Sequence, residues 1–543
     1  MTNRTTGSPY KTSNPHEESW DAIVIGSGIG GLAAAALLAR QAGRRVLVLE
    51  RHYVAGGFTH VFHRPGYEWD VGVHYVGEVQ STRSPVRALF DHLSEGRLEW
   101  SPMPDIYDRV RIGESEYEIV AGLSNFRERM KSYFPSDAAA VDRYIAAVLS
   151  CAKSIGRFSA EKAIPPAIAR LVGSFLRAPF LRWAQRTTAE VLAEITPNRE
   201  LAGVLTGQWG DYGLPPSQSS FAAHATIVAS YFEGASYPVG GASSIAASIA
   251  PTIAKTGGRI LVGAEVEKIL LDRRGCAAGV RMSDGREIRA AVVISDAGAS
   301  NTYRRLLPPS APGVSSVLEE LRPLAPSMTY LCLYAGLRQS AAELGLSGTN
   351  LWIHPGYDPD ANYARSLAQP FCPSLLFISF PSAKDPDFAR RHPGRATIEV
   401  ISPVPYEWFR SWEGTRWKKR ATGYDDFKAT LTAKLCAALE EHVPAVRGKL
   451  DYVELSTPLS TRHFMNSECG EAYGFANTPA RFRARYLTPR TPVRGLYLAG
   501  QDACMLGVTG AMFGGTLCAS AILGRNLTSV ATKPAAAPRN MAA

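Results

Sequence analysis

The sequence predicts an α/β fold in which a parallel sheet with helices on both faces is divided along the chain by an inserted α+β domain. Three features predict it. A glycine-rich turn joins two all-apolar strands near the N-terminus, strand–glycine–helix patterns return near residues 240 and 500, and the stretches between mix amphipathic helices with strand-rich runs. At 543 residues the chain is several times the usual domain length of roughly 150, so more than one domain is expected. Hydrophobic residues make up 45% and charged residues 20%, a balance that excludes wholesale disorder and collagen-like repeats. The 59 Lys and Arg exceed the 49 Asp and Glu by ten, an excess spread along the chain that suits phosphates or anionic headgroups and gives nucleic-acid binding no further support. Eight cysteines form no CxxC pair, which argues against a disulfide framework and a structural zinc, and no metal site is expected.

Taken in order, residues 1–19 read as a polar, disordered lead-in. The uncharged run 22–39 is preceded by Glu17, Glu18 and Asp21 and broken by glycines at 26, 28, 30 and 31, so it is neither a signal peptide nor a membrane span, and an unprocessed cytoplasmic chain is expected. Residues 22–25 form a buried strand, an alanine-rich helix runs to Gln41 with Gly43 as its C-cap, and 46–49 form a second buried strand ending at Glu50. Residues 101–235 read as an insert with helices at 137–150, 161–178 and 184–194, separated by prolines. From Tyr237 the sheet-and-helix pattern resumes, with strands at 260–262, 266–271, 277–282 and 287–294. Residues 326–335 and 374–403 are strand-rich and suggest a second sheet; strand 495–500 then runs into a glycine-rich helix start at 507–515. The division expected is 20–100, 236–305 and 490–528 for the parallel-sheet domain, 101–235 and 306–489 for the inserted domain, and 529–543 for a flexible tail.

The turn Gly26-Ser27-Gly28-Ile29-Gly30-Gly31 fits GxGxxG at positions 26, 28 and 31, directly after a strand and opening a helix. That is the Rossmann arrangement, in which glycines let a pyrophosphate approach the backbone and the helix N-terminus supplies amide donors. Glu50 stands nineteen residues beyond Gly31 at the tip of the second strand, where a carboxylate can accept both hydroxyls of an adenosine ribose. The plain alternative is a glycine turn that merely packs helix on sheet. Between FAD and NAD, the order of the remaining blocks favours FAD, because Glu50 is followed by Arg51 and Gly56-Gly57 and a second glycine-rich block returns only near the C-terminus.

Several blocks then resemble the phytoene desaturase, carotenoid isomerase and retinol saturase superfamily of FAD-dependent oxidoreductases, and most closely its retinol saturase-like members. They are Glu50-Arg51 with Gly56-Gly57, the run 67–77 containing His74 and Tyr75, Gly210-Asp211-Tyr212-Gly213 before His224, the run 237–241, the run 293–303, and 496–502 with 507–511. The resemblance implies a discontinuous Rossmann-type FAD-binding domain of the glutathione reductase/amine oxidase kind with an inserted substrate domain. It implies that Gly26, Gly28, Gly30 and Gly31 cradle the pyrophosphate, that Glu50 and Arg51 hold the adenosine side, and that Gly56 and Gly57 lie along the pyrophosphate. Val266 would meet the adenine edge; Gly500 and Asp502 would hold ribitol or pyrophosphate; and Gly507, Thr509 and Gly510 would bring a helix N-terminus to the flavin ring, where its partial positive charge favours the reduced anion. Two departures bear on substrate orientation: Phe58 follows Gly57 where relatives often carry a smaller residue, and Glu471 precedes Ala472-Tyr473 where relatives more often carry glycine.

The activity implied is two-electron transfer at carbon–carbon double bonds of a conjugated, apolar polyene, with reduction favoured. Desaturation or isomerisation of a carotenoid, and reductive cyclisation of a polyene natural product of the polycyclic tetramate type, are the alternatives. A flavin-binding, membrane-associated module without turnover belongs to another class. His74, Tyr75 and Tyr473 are candidates for proton transfer, and Tyr212, His224, Tyr231, His463 and Phe513 for the substrate wall, each set against an ordinary core or turn role. No second GxGxxG with an acidic partner is evident, so NAD(P)H or another external donor or acceptor would exchange electrons transiently. Ile168, Leu171, Val172, Phe175 and Leu176 share one helical face opposite Arg170 and Arg177, which suits either an ordinary core-facing helix or a peripheral membrane contact admitting a lipophilic substrate.

Overall fold

A computed structural model describes residues 6–373 and 375–528; the tail expected at 529–543 lies outside them. Among these residues a six-stranded, all-parallel sheet runs in the order Ser8–Pro9, Arg259–Val262, Val46–Glu50, Ala22–Ile25, Val293–Ser295 and Leu496–Leu498. Its central strands are apolar at every position but Glu50 because both faces are covered. One face carries Ile29–Ala42, which packs against Ser243–Ala254 and Gly507–Leu523. The other face is covered by the antiparallel strands Val266–Leu271, Ala277–Met282 and Glu287–Arg289 and by helix Val314–Leu321, which share one core with the sheet. The single strand expected at 287–294 is therefore two, and its C-terminal piece, Val293–Ser295, joins the parallel sheet.

The expectation of a disordered lead over residues 1–19 is corrected where the chain is described. Ser8 and Pro9 extend the parallel sheet beside Leu261 and Val262, and Tyr10 is only 5% exposed. Trp20 donates its indole N–H to Pro15 O at 2.8 Å with the Arg45 guanidinium over its ring. Two aromatic residues within a polar stretch suffice to anchor it, an outcome that mean composition does not register.

Also among the described residues, a seven-stranded sheet runs in the order Leu450–Ser456, Tyr330–Leu337, Ala396–Pro403, Leu376–Ser379, Asn350–His354, Ile106–Ile112 and Ser115–Val120. Strands from before and after the central part of the parallel sheet thus meet in one layer. Helices Ala138–Ala163, Pro166–Ala184, Thr188–Ile195 and Phe221–Tyr231 pack at its end. The expected helices at 137–150 and 161–178 are regrouped because Pro165 precedes the second helix and Pro166 occupies its first position, where a missing N–H costs nothing, while Pro179 is carried within it. That helix packs through Gly173, Phe180 and Ala184, whereas Ile168, Leu171, Val172 and Phe175 are exposed, so the core-facing reading fails for these four.

Candidate functional site

A cavity of about 800 Å³ runs from the glycine turn of the parallel sheet to the inner face of the seven-stranded sheet. It lies near the upper end of the range usual for small-molecule sites, roughly 300–1,000 Å³, and so suits a large ligand. Among the residues expected to hold a dinucleotide, Gly26, Gly28, Gly30, Glu50, Arg51, Gly56, Gly57, Val266, Gly500, Asp502 and Gly507 line it.

The turn has its shape for local reasons. Gly26 sits at φ +98°, a conformation that L side chains rarely adopt, and it lets the chain leave the strand and enter the helix directly. At Gly30 the constraint is space, since a Cβ there would lie 2.4 Å from Gly500 Cα and 2.5 Å from Gly500 N. The two glycine-rich blocks, 470 residues apart, are therefore in backbone contact. Gly31 faces away from the cavity towards Gly26 O.

Glu50 is fixed from both sides. One carboxylate oxygen accepts from Ser27 N at 2.9 Å and Ser27 Oγ at 2.6 Å, and the other accepts from His52 N at 2.7 Å. Arg51, on the cavity wall, donates to the carbonyls of His463 and Phe464, the latter at 2.9 Å. Asp502 is 4% exposed; one oxygen accepts from Ala299 N at 2.8 Å, while the other is buried without a hydrogen bond, 3.5 Å from the Arg481 guanidinium. An orphaned buried acceptor beside a glycine cradle and a helix N-terminus is a donor-seeking arrangement that a polyhydroxylated ligand satisfies. Gly507 begins helix Gly507–Leu523, and Val508 and Ala511 join it on the wall, whereas Thr509 and Gly510 occupy the same turn facing elsewhere.

Asp296, within the run 293–303 and given no role from sequence, lies under this turn. A Cβ on Gly28 would lie 2.6 Å from its carboxylate. Burial, with Glu50 and Asp502 nearby, pushes its carboxyl up to about 8, so it is largely protonated at neutral pH.

The far end of the cavity is aromatic. Tyr330, Trp352, Phe377 and Tyr473 line it, with the rings of Tyr330 and Tyr473 edge to face at 6.5 Å. His74 is on the wall with Nδ1 2.8 Å from the buried Glu399 carboxylate; burial, with Lys384 nearby, drives its imidazole down to about 3 and holds it neutral. Burial likewise raises Glu399 to about 8, and Asp70 to about 8 with Glu399 adding to the effect.

Six of the residues expected for proton transfer or the substrate wall do not reach the wall. Tyr75 is buried behind it, stacked on Tyr231 at 4.6 Å, and Tyr231 is likewise inside the core. Tyr212 and His224 form a closed polar core, with His224 Nδ1 at 3.0 Å from Tyr212 Oη and Nε2 at 2.8 Å from Tyr144 Oη. Burial lowers His224 to about 3, consistent with a neutral ring bridging two hydroxyls. His463 stacks on Trp417 at the mouth while its neighbour Phe464 lines the wall. Phe513 packs between the helical and parallel-sheet cores. The wall residues missed include Trp352 and Phe377, on the strands Asn350–His354 and Leu376–Ser379, of which only the second falls within a run expected to be strand-rich, and Asp211, within the block Gly210-Asp211-Tyr212-Gly213.

Comparison with known proteins agrees with this geometry. The family described as flavin containing amine oxidoreductase matches residues 29–523. An all-trans-retinol 13,14-reductase of Danio rerio is 37% identical, over 94% of this chain and 87% of its own. A prolycopene isomerase of Arabidopsis thaliana is 26% identical, over 93% of this chain and 82% of its own. Among solved structures, putrescine oxidase bound to putrescine superposes with a TM-score of 0.60 at 18% identity, covering 93% of this chain and 99% of that one, which shows the shared fold.

Proposed function

Because this chain belongs to the flavin-containing amine oxidoreductase family, we propose that it is an FAD-dependent oxidoreductase that adds hydrogen across a carbon–carbon double bond of a conjugated, apolar polyene. The observation that carries this reading is one continuous cavity, Rossmann turn at one end and aromatic chamber at the other. The first end meets the needs of a dinucleotide and the second those of a flat hydrocarbon. The 37% identity to a protein named for retinol reduction supports the redox direction.

Gly26, Gly28 and Gly30 would face the pyrophosphate, Glu50 the adenosine ribose, Val266 the adenine, and Asp502 the ribitol or pyrophosphate. The first turn of Gly507–Leu523 would meet the flavin ring. Bound there, the flavin supplies a hydride equivalent once it has been reduced. The chain's own residues do the rest. Tyr330, Trp352, Phe377 and Tyr473 exclude water and hold the polyene flat, and the wall's polar groups supply the accompanying proton.

The electron donor is external, either reduced nicotinamide binding transiently or a partner redox protein. We also propose a cytoplasmic chain with peripheral membrane access. Among the described residues no helix is long and apolar enough to cross a membrane. Leu171 and Phe175, 83% and 75% exposed beside Arg170 and Arg177, offer an interfacial contact through which a lipophilic substrate would arrive.

The test is anaerobic incubation of the purified, FAD-loaded and chemically reduced protein with all-trans-retinol and with an acyclic carotenoid, followed by mass spectra of the products. A gain of two hydrogens supports the reading once the product's chromophore and ring connectivity exclude cyclisation. An unchanged mass with altered double-bond geometry supports isomerisation, the second reading, which the prolycopene isomerase similarity favours. A colourless protein that takes up no flavin refutes both.

A further inference from the structure

Behind the aromatic chamber lies a chain of buried polar groups that flavin binding does not use. Asp108 is fully buried and accepts from Asn350 Nδ2 at 2.8 Å, Gln208 Nε2 at 2.5 Å, Trp352 Nε1 at 3.2 Å and Tyr75 Oη at 3.0 Å. Tyr75 Oη is also 3.0 Å from Asp211 Oδ2. Asp211, unlike Tyr75 and Asp108, is on the cavity wall, in the company of Gly210, Tyr330 and Tyr473.

A tyrosine hydroxyl has one hydrogen and here meets two carboxyl oxygens, so it can donate to only one of them. The other contact is satisfied only if that carboxyl is itself protonated. Asp108 already receives three N–H donors, which favour its ionised form, whereas apart from Tyr75 no donor to the Asp211 carboxylate is found among the described residues. The hydrogen-bond count therefore leaves the proton on Asp211. We propose that Asp211 is the proton donor of the reduction, and that Tyr75 and Asp108 form the relay behind it; this rests on the polyene-reduction reading above.

Atoms and electrons balance in one step. A hydride equivalent from the reduced flavin forms a C–H bond at one carbon, and the π pair of the double bond moves to its neighbour. That pair takes the Asp211 proton as the O–H bond breaks and leaves its electrons on the carboxylate. The net addition is two hydrogens. The Tyr75 hydroxyl then turns from Asp108 to the new carboxylate, and a solvent proton restores the pair.

The surroundings agree. Burial and the neighbouring Asp108 raise Asp211 to about 8, and Asp108 itself is raised only to about 6. The groups facing Asp211 are Asp108, Tyr75, Tyr107, Tyr212, Tyr231, Tyr330, Tyr473 and the Lys384 ammonium. The six phenols are all held above their ordinary range by burial and stay neutral. His74, which also lines the wall, is held neutral and is a far weaker acid than a carboxylic acid.

Two measurements test the proposal. The first needs no turnover. Infrared difference spectra of the purified protein across pH 6–10 should show the carbonyl stretch of a protonated carboxyl disappearing near pH 8, and this component should be missing in Asp211→Asn. The second is turnover of all-trans-retinol by the reduced, FAD-loaded protein. Asp211→Asn should keep its flavin absorbance and lose roughly 100-fold or more in rate, the usual contribution of a positioned acid. In the wild type, activity should fall as pH rises through about 8, and Asp211→Glu should restore part of the rate with a displaced limb. Tyr75→Phe removes a hydroxyl that accepts from protonated Asp211 but, once turned, donates more strongly to its carboxylate, so it should move both the infrared titration and the alkaline limb to higher pH. An unchanged infrared titration in Asp211→Asn, or a rate within about threefold of wild type with the alkaline limb intact, overturns the proposal. Should Asp211→Asn not fold, an unshifted Tyr75→Phe profile overturns it. A wild type that converts no polyene refutes the reduction reading instead, and the infrared titration still reports whether Asp211 holds the proton.

Discussion

Substituting Gly30 by alanine tests the contact on which the dinucleotide end depends. The new methyl group would lie 2.4 Å from Gly500 Cα, 2.5 Å from Gly500 N and 2.6 Å from an Asp296 carboxylate oxygen. Carbon atoms pack best at about 3.5–4.0 Å, so the backbone contact is short by more than about 1 Å. The carboxylate can turn aside, but Gly500 cannot, because its neighbours are tied into the sheet: Leu498 N donates to Pro489 O and Ala499 N to Ser295 O. Helix Ile29–Ala42 must therefore shift, at the roughly 1–3 kcal/mol typical of overpacking. If the strain falls on the geometry that binds the ligand, FAD affinity drops by about 5–150-fold. Gly156→Ala is the internal control: it lies inside helix Ala138–Ala163 with nothing within 4 Å of the added methyl, and should stabilise by about 0.5–1 kcal/mol. Flavin titration by fluorescence quenching and thermal unfolding of both variants check the pair. A Gly30→Ala protein with wild-type FAD affinity and melting temperature would refute the close-contact reasoning.

Glu50→Gln should weaken FAD binding by about 10–100-fold in the same titration, because both carboxylate oxygens accept N–H donors and an amide must turn its own NH₂ towards one of them. Asp70, Asp296 and Glu399 titrate near 8 in the folded chain against ordinary values of 3.8 to 4.5, so the folded state holds more protons than the unfolded one between about 4 and 8. Their contribution to stability is greatest at the acidic end and is lost as pH rises through 8, so the melting temperature should fall between pH 6 and 9; a rise would contradict the shifts. Asp296→Asn should flatten part of that slope. Leu171→Ser with Phe175→Ser should leave unfolding within about 0.5 kcal/mol of wild type, as exposed positions do, yet reduce co-sedimentation with anionic vesicles; unchanged sedimentation would remove the membrane contact from the reading.

What the sequence disclosed, and what it withheld, follow from how far each requirement reaches along the chain. The Rossmann turn was legible because its demands are local: Gly26 needs its backbone angle, and Glu50 receives Ser27 only 23 positions away. The aromatic chamber was not, since the apolar run around Phe377 shows a strand but not whether its buried faces meet a core or a cavity, and Trp352 lies outside the runs expected to be strand-rich. Histidines and tyrosines were the natural guesses for that wall, yet Tyr212 and His224 satisfy each other deep in the helical core. The better signal was charge in apolar company at Glu399, within Ala396–Pro403; Asp108, beside Arg109 and Arg111 in Ile106–Ile112, gives none, yet both are buried where an unpaired charge would cost several kcal/mol, so each must bring partners with it. Sequence can thus announce a buried charge such as Glu399, but not the polar chain. It cannot trace that chain, because Tyr75 is 33 positions from Asp108 and 136 from Asp211, and Asn350 is 242 from Asp108. Only the folded sheet brings them within reach of a single shared proton.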